Sequence, residues 1–132
     1  MRPLIAAFIA TALYAPMAQA QDPEAGGEHF YYYCASCHGD DATGGGPMTE
    51  ILNATPPDLT GLAARNGGVF PRSHVVFRID GRDPNLAHGG PMPIFGDIFG
   101  DDMVPLKSET GQPILAGRAI IDLIAWLELV QG

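Results

Sequence analysis

The chain has 132 residues, including 17 glycines, 12 prolines and only two cysteines. This length fits one small domain, and two cysteines exclude a framework of several disulfides. The net charge of −8 argues against binding to nucleic acid or to anionic lipid, because both require basic surfaces. We expect a protein partner with a basic docking surface; the alternative is that the acidity only maintains solubility.

The N-terminal residues have the features of an export signal. Arg2 gives a short positive region, residues 4–14 are mostly apolar, and the small-residue motif Ala-Gln-Ala ends at Ala20. The apolar run is too short to span a bilayer, although an uncleaved membrane anchor is the alternative. We therefore expect a signal peptide over residues 1–20, export to the periplasm, and a mature domain over residues 21–132 with no stable membrane insertion.

The first predicted helix covers residues 22–37 and ends in the most specific motif of the chain, Cys34-Ala-Ser-Cys37-His38. Cys-x-x-Cys-His is the attachment signature of a c-type haem. Two thiols on one helical turn add to the haem vinyl groups, and the imidazole that follows ligates the iron. A thiol–disulfide site and a zinc site are weaker alternatives, because the chain shows neither a βαβ pattern nor zinc-finger spacing.

Further elements follow the motif in order. Residues 39–57 are predicted to form a loop, since glycines and prolines recur there. A short helix is predicted over residues 73–80, followed by a second glycine- and proline-rich loop over residues 89–96. The last helix is predicted to begin near Pro113, and its apolar residues recur at helical spacing: Ile120, Leu123, Leu127 and Val130, with Trp126 beside them.

In this order the features resemble the class I c-type cytochromes over essentially the whole mature sequence. The shared features are a glycine and an aromatic residue before Cys-x-x-Cys-His-Gly, a Gly-Pro loop, a Met-Pro loop and a final helix with an aromatic residue. The resemblance implies an all-α, cytochrome c-like fold wrapped around one covalent haem c, with crossing N- and C-terminal helices. The crossing contacts it implies are Gly26, Phe30, Leu123 and Trp126.

The resemblance also assigns roles at the haem. Cys34 and Cys37 resemble the thioether cysteines, and His38 resembles the proximal ligand. Pro47 resembles the proline whose carbonyl accepts the other ring N–H of that histidine, a bond that fixes the ring and raises its basicity. One departure is the stretch 97–112, which is long for a minimal cytochrome. This stretch either docks a specific dehydrogenase or oxidase or is a neutral insertion.

Several side chains are candidates for the remaining haem contacts. Met92 resembles the distal ligand, and it lies between two prolines, which favour a rigid, extended loop. Arg65 and Arg78 are suitable partners for the haem propionates, because arginine pairs bidentately with carboxylates; the alternative is that both are ordinary surface residues. The other candidates for the sixth ligand are Met48, Met103, His74 and His88, of which Met103 and His88 are the stronger.

A thioether on the iron raises its reduction potential, and a filled sixth position leaves no site for a substrate. The sequence therefore predicts a periplasmic one-electron carrier with His/Met ligation, and not an enzyme. One alternative is a haem c subunit of a periplasmic dehydrogenase complex, motivated by residues 97–112. A haem enzyme or gas-binding sensor with a labile sixth ligand is another, and His88 is the residue that supports it.

Overall fold

The computed structural model describes residues 21–86 and 89–132. The predicted signal peptide and His88 lie outside these residues. The described chain is mostly helical, with one added β-hairpin. Its elements are α1 (Pro23–Tyr33), α2 (Ala35–His38), the 3-10 helix η1 (Pro47–Ile51), α3 (Leu62–Arg65), α4 (Arg72–Asp80), the 3-10 helix η2 (Pro84–Leu86), α5 (Gly96–Phe99), β1 (Met103–Lys107), β2 (Pro113–Gly117) and α6 (Arg118–Leu129).

The first predicted helix is divided into α1 and α2. The Asp22 side chain accepts hydrogen bonds from the backbone N–H groups of Glu24 and Ala25, which caps α1. Cys34 separates the two helices, and its backbone N–H still donates to the carbonyl of Phe30. The cysteines and histidine of the motif are therefore held on a short helical turn of their own, directly after α1.

The first and last helices pack closely against each other. A Cβ atom at Gly26 would lie 1.9 Å from the backbone carbonyl oxygen of Asp122, so only glycine allows this approach. Phe30 and Leu123 are both buried at this contact, and the Phe30 ring stacks on Trp126 with the ring centroids 4.4 Å apart. These backbone and ring contacts join the two ends of the domain.

The hairpin formed by β1 and β2 is a small addition to the predicted all-α fold. The strands are antiparallel, and their register pairs Met103 with Gly117 and Lys107 with Pro113. Along each strand, inward and outward side chains alternate with the period of two typical of a half-buried strand. Pro113 therefore lies in a strand and not near the start of the last helix, which begins at Arg118. Proline is tolerated there because both strands are edge strands.

The buried core joins α1, α4, α6 and the hairpin. Its largest fully buried side chains are Phe30, Val76, Ile120, Leu123 and Ile124. The predicted short helix 73–80 is observed as α4, which begins one residue earlier and ends at Gly81 in a left-handed conformation. None of the helices in the described part of the chain is both long enough and apolar enough to cross a membrane.

Candidate haem-binding site

A cavity of about 590 Å³ lies between α1, α2, α4, α6 and the loop that contains Met92. Its size is within the range of cofactor and ligand pockets, and its lining is mainly apolar with a few polar groups, as such sites require. The apolar lining includes Phe30, Leu59, Leu62, Val75, Ile79, Leu123 and Leu127, and the side chains able to bind or contact a metal or an anion include Cys34, Cys37, His38, His74, Arg78 and Met92.

The attachment motif occupies one wall of this cavity. The His38 backbone N–H donates to the carbonyl of Cys34 at 2.9 Å, so both cysteines and the histidine share one helical turn. The two cysteines are unpaired and half-buried. Burial, together with the neighbouring Cys37, raises the pKa of the Cys34 thiol to about 11. Cys34 therefore stays protonated at neutral pH and is available as a thiol.

The glycine-rich loop packs directly against α2. The Gly44 N–H donates to the carbonyl of His38 at 2.7 Å, and the Gly46 N–H donates to that of Cys37 at 3.2 Å. A Cβ atom at Gly46 would lie 2.5 Å from the carbonyl oxygen of Ser36. The loop thus covers the end of the motif with backbone, which requires the absence of a side chain at Gly46.

The His38 ring is buried, and its Nδ1 lies 3.4 Å from the carbonyl oxygen of Pro57. Burial lowers the pKa of His38, and the carbonyl of Pro57 opposes this shift in part. The neutral ring that results can donate Nδ1–H to this carbonyl, which leaves Nε2 free to bind a metal.

The prolyl carbonyl beside the His38 ring is that of Pro57 and not of Pro47, the residue that the resemblance implied. Pro47 instead begins η1 and does not line the cavity. The loop folds back after Pro47, and the Leu59 N–H donates to the carbonyl of Ala42 at 2.8 Å. This return brings Pro57 to the ring. The sequence shows the Pro56–Pro57 pair, but only the long-range return of the chain places the carbonyl of Pro57 beside the His38 ring.

Met92 lines the same cavity as His38. Its loop is fastened to α4, because the Phe95 N–H donates to the carbonyl of Ile79 at 2.8 Å. Met48 and Met103 are exposed and do not line the cavity. His74 lines the cavity but is exposed to solvent, whereas His88 lies outside the described residues.

Comparison with known proteins identifies the family of this chain. A family model described as Cytochrome c matches residues 23–128. The chain belongs to the cytochrome c family. No curated protein and no solved structure matches it. Members of this family bind haem c and transfer electrons, so this chain is a haem-binding electron-transfer protein.

The donor set of this cytochrome c domain fits a haem c. Cys34 and Cys37 offer two free thiols at one wall of an apolar cavity, and the adjacent imidazole of His38 has one ring nitrogen unoccupied. This combination suits attachment of a porphyrin through two thioether bonds and ligation of its iron. A structural zinc site or a disulfide would leave the large apolar cavity without a purpose.

Of the two arginines considered as partners for the haem propionates, only one lines the cavity. Arg78 lines the cavity and pairs with the buried carboxylate of Asp83, with 3.1 Å between Nη1 and Oδ2. Arg65 does not line it, because its guanidinium turns back to the backbone carbonyl of Asp58. Sequence analysis missed two lining residues, Asp83 and Asn85, since no recognisable motif contains them.

Proposed function

We propose that this protein is a periplasmic one-electron carrier with a single haem c and His/Met axial ligation. The observation that carries the proposal is that Cys34, Cys37, His38 and Met92 line one apolar cavity. Export with cleavage after Ala20 completes the proposal, since haem attachment of this kind takes place outside the cytoplasm. The crossing of the terminal helices belongs to it as well, and the close approach at Gly26 supports that arrangement.

The residues of the motif would hold the cofactor. Cys34 and Cys37 would hold the haem through two thioether bonds, each formed by adding one S–H across one vinyl group, with sulfur on one carbon and hydrogen on its neighbour. His38 would bind the iron through Nε2, while the Pro57 carbonyl accepts the Nδ1–H and fixes the ring orientation. Haem c supplies the one-electron couple, and these residues hold it in one position.

We propose Met92 as the second protein ligand of the iron. Its neighbouring prolines restrict the loop, and the Phe95–Ile79 hydrogen bond fastens the loop to α4. A thioether there would exclude water, carbon monoxide and peroxide, and it would raise the potential. At the polar edge, Arg78 is positioned for a propionate, and Asp83 holds its guanidinium in place.

Substitution of Met92 tests the choice between carrier and enzyme. Met92→Ala should open the sixth position, so that the ferrous protein binds carbon monoxide rapidly and the reduction potential falls. Met103→Ala and Met48→Ala are matched controls, because both methionines are exposed away from the cavity. The absorption band from sulfur to ferric iron should disappear only in Met92→Ala.

Two results would overturn this assignment. Loss of the sulfur-to-iron band in Met103→Ala, with the band kept in Met92→Ala, would move the ligand to the hairpin. Rapid carbon monoxide binding by the unsubstituted ferrous protein would favour the enzyme or sensor.

A haem subunit of a larger dehydrogenase complex is the second candidate. The outward face of the hairpin and the adjacent α5 expose large apolar side chains, with exposed fractions of 48% for Met103, 55% for Leu115 and 54% for Ile98. Exposed apolar patches of this kind are typical of protein interfaces. Native mass spectrometry of the protein expressed with its neighbouring genes would separate the two, because a free carrier gives the mass of one chain with its covalent haem.

A further inference from the structure

A second depression, an open groove of about 680 Å³, lies on the surface of α1. We call it the acidic-aromatic groove. It shares no lining residue with the haem cavity, and its lining comprises Pro23, Glu24, Gly27, Glu28, Tyr31, Tyr32 and Trp126. The groove is wide and shallow, so it suits a segment of a partner protein better than an enclosed small molecule.

The indole of Trp126 packs directly against Gly27, which is buried and leaves room for the ring at one wall of the groove. A Cβ atom at Gly27 would lie 3.0 Å from two indole atoms, Cδ1 and Nε1, whereas the atoms nearest to a Cβ at Gly26 are backbone atoms of α6. Glycine inside a helix costs about 1 kcal/mol relative to alanine. The close approach of the α6 backbone accounts for Gly26, and the close packing of the Trp126 indole accounts for Gly27.

The indole N–H of Trp126 is a donor without an acceptor among the described residues. No buried side-chain nitrogen or oxygen in this part of the chain lacks a hydrogen-bond partner, so this N–H must be accessible to solvent. A backbone carbonyl of a bound segment would satisfy it.

The rest of the groove presents negative charge and exposed aromatic rings. Tyr31 and Tyr32 are 59% and 81% exposed, although tyrosine ordinarily buries much of its ring. Glu24 and Glu28 are exposed, neither forms a salt bridge among the described residues, and the lining contains no cation. Carboxylates beside aromatic faces attract lysine and arginine, through charge pairing and through cation–π contacts.

We propose that the acidic-aromatic groove binds a basic segment of a partner protein. A lysine or arginine of that segment would lie between Glu24, Glu28 and the tyrosine rings, and Trp126 would donate its N–H to a backbone carbonyl of the segment. The net charge of −8 opposes a second copy of this chain as the occupant. The site lies apart from the haem cavity, so the proposal does not depend on Met92 or on the carrier function.

The position of the groove also relates it to the haem cavity. Trp126 stacks on Phe30, and Phe30 lines the cavity. A partner seated in the groove would therefore contact the ring that packs directly against a cavity wall. The groove and the haem cavity are thus separated by the stacked rings of Trp126 and Phe30, at the contact between α1 and α6.

The single tryptophan makes this proposal directly testable. The ferrous, haem-loaded protein labelled with ¹⁵N gives one indole N–H cross-peak, which is followed while a blocked Lys-Arg-Lys peptide is added. We expect a saturable shift of this peak, and no shift with a blocked Glu-Glu-Glu peptide. The double variant Glu24→Gln/Glu28→Gln should weaken binding about two- to tenfold, and Tyr31→Ala about two- to fivefold.

The control is the double variant Glu50→Gln/Asp101→Asn, which removes the same charge from exposed positions outside the groove. Its dissociation constant should change less than about twofold. Equal weakening in both double variants would show general attraction to an acidic protein and would overturn the proposal. So would peptide binding without any change in the indole peak, or an equal response to the acidic peptide.

Discussion

The cavity wall that contains His38 is built from helices and backbone hydrogen bonds, whereas the wall that contains Met92 is a loop fastened to α4. On the first wall, the backbone groups of His38 bond to Cys34 and Gly44, and its ring meets Pro57. On the second, Met92 is half-buried between two exposed prolines. The Phe95–Ile79 hydrogen bond holds its loop, and Gly96 lies close to the carbonyl of Asp80.

This difference separates two properties of the protein. The His38 wall unites the attachment residues with the contact between α1 and α6, so damage there should remove the cofactor or unfold the domain. The Met92 wall contributes the proposed second ligand from a loop, and damage there should change the reactivity of a haem that stays attached. Substitutions on each wall should therefore give different kinds of loss.

Removal of both thiols should abolish cofactor attachment on the His38 wall. In Cys34→Ala/Cys37→Ala no thioether bond can form, so we expect no covalent haem after a denaturing gel is stained for haem peroxidase activity. Ser36→Ala is the matched control, because this exposed residue lies between the cysteines, and it should keep the full stain. Covalent haem in the double variant would refute the attachment site.

The hairpin, which packs against α4 and α6, should contribute to the core. Leu106 on β1 is only 5% exposed, so Leu106→Ala should lower the free energy of unfolding by about 2–5 kcal/mol. On β2, Leu115 is 55% exposed, and Leu115→Ala should change it by no more than about 0.5 kcal/mol. Denaturant titration of both holoproteins measures the difference, and equal small effects would make the hairpin an independent appendage.

The contact between the terminal helices can be probed at two adjacent glycines. Gly26→Ala places Cβ against the Asp122 carbonyl, and this overpacking should cost about 1–3 kcal/mol of unfolding free energy. In Gly27→Ala the atoms nearest to the new Cβ belong to the Trp126 side chain, which can move, and the gain in helix propensity offsets part of the cost. Gly26→Ala should therefore be the less stable variant in denaturant titrations, and the reverse order would contradict the close backbone approach.

Substitution of Asp83 should have the smallest effect on stability, and this effect should depend on pH. Hydrogen bonds from Asn85 and the charge of Arg78 hold the pKa of Asp83 below its ordinary value of 3.8. A lowered pKa stabilises the fold above the ordinary value, and this stabilisation is lost as the pH falls through the lowered value. Asp83→Asn should therefore reduce stability at pH 7 and flatten the loss of stability below about pH 4. If thermal unfolding shows that Asp83→Asn and the unsubstituted protein lose stability equally steeply at acid pH, Asp83 does not have this role.

Much of the site follows from short-range rules that are visible in the sequence. Covalent chemistry fixes the order Cys34, Cys37, His38, and helical spacing marks the buried face of α6 at Ile120, Leu123 and Leu127. The predicted helix over residues 73–80 likewise begins within one residue of the observed start of α4. These features depend on neighbouring residues or on one helical period, so they need no knowledge of the tertiary fold.

Other features depend on which distant segments meet, and only the tertiary structure decided them. The return of the loop brings Pro57, and not Pro47, to the His38 ring, and the fold places Arg78 in the cavity but Arg65 against Asp58. The hairpin was missed for the same reason: a strand is stabilised by its partner strand, and β1 and β2 gain their inward packing only when paired over α6. Residue chemistry thus specified the ligands available in this chain, and long-range packing determined which of them share the cavity.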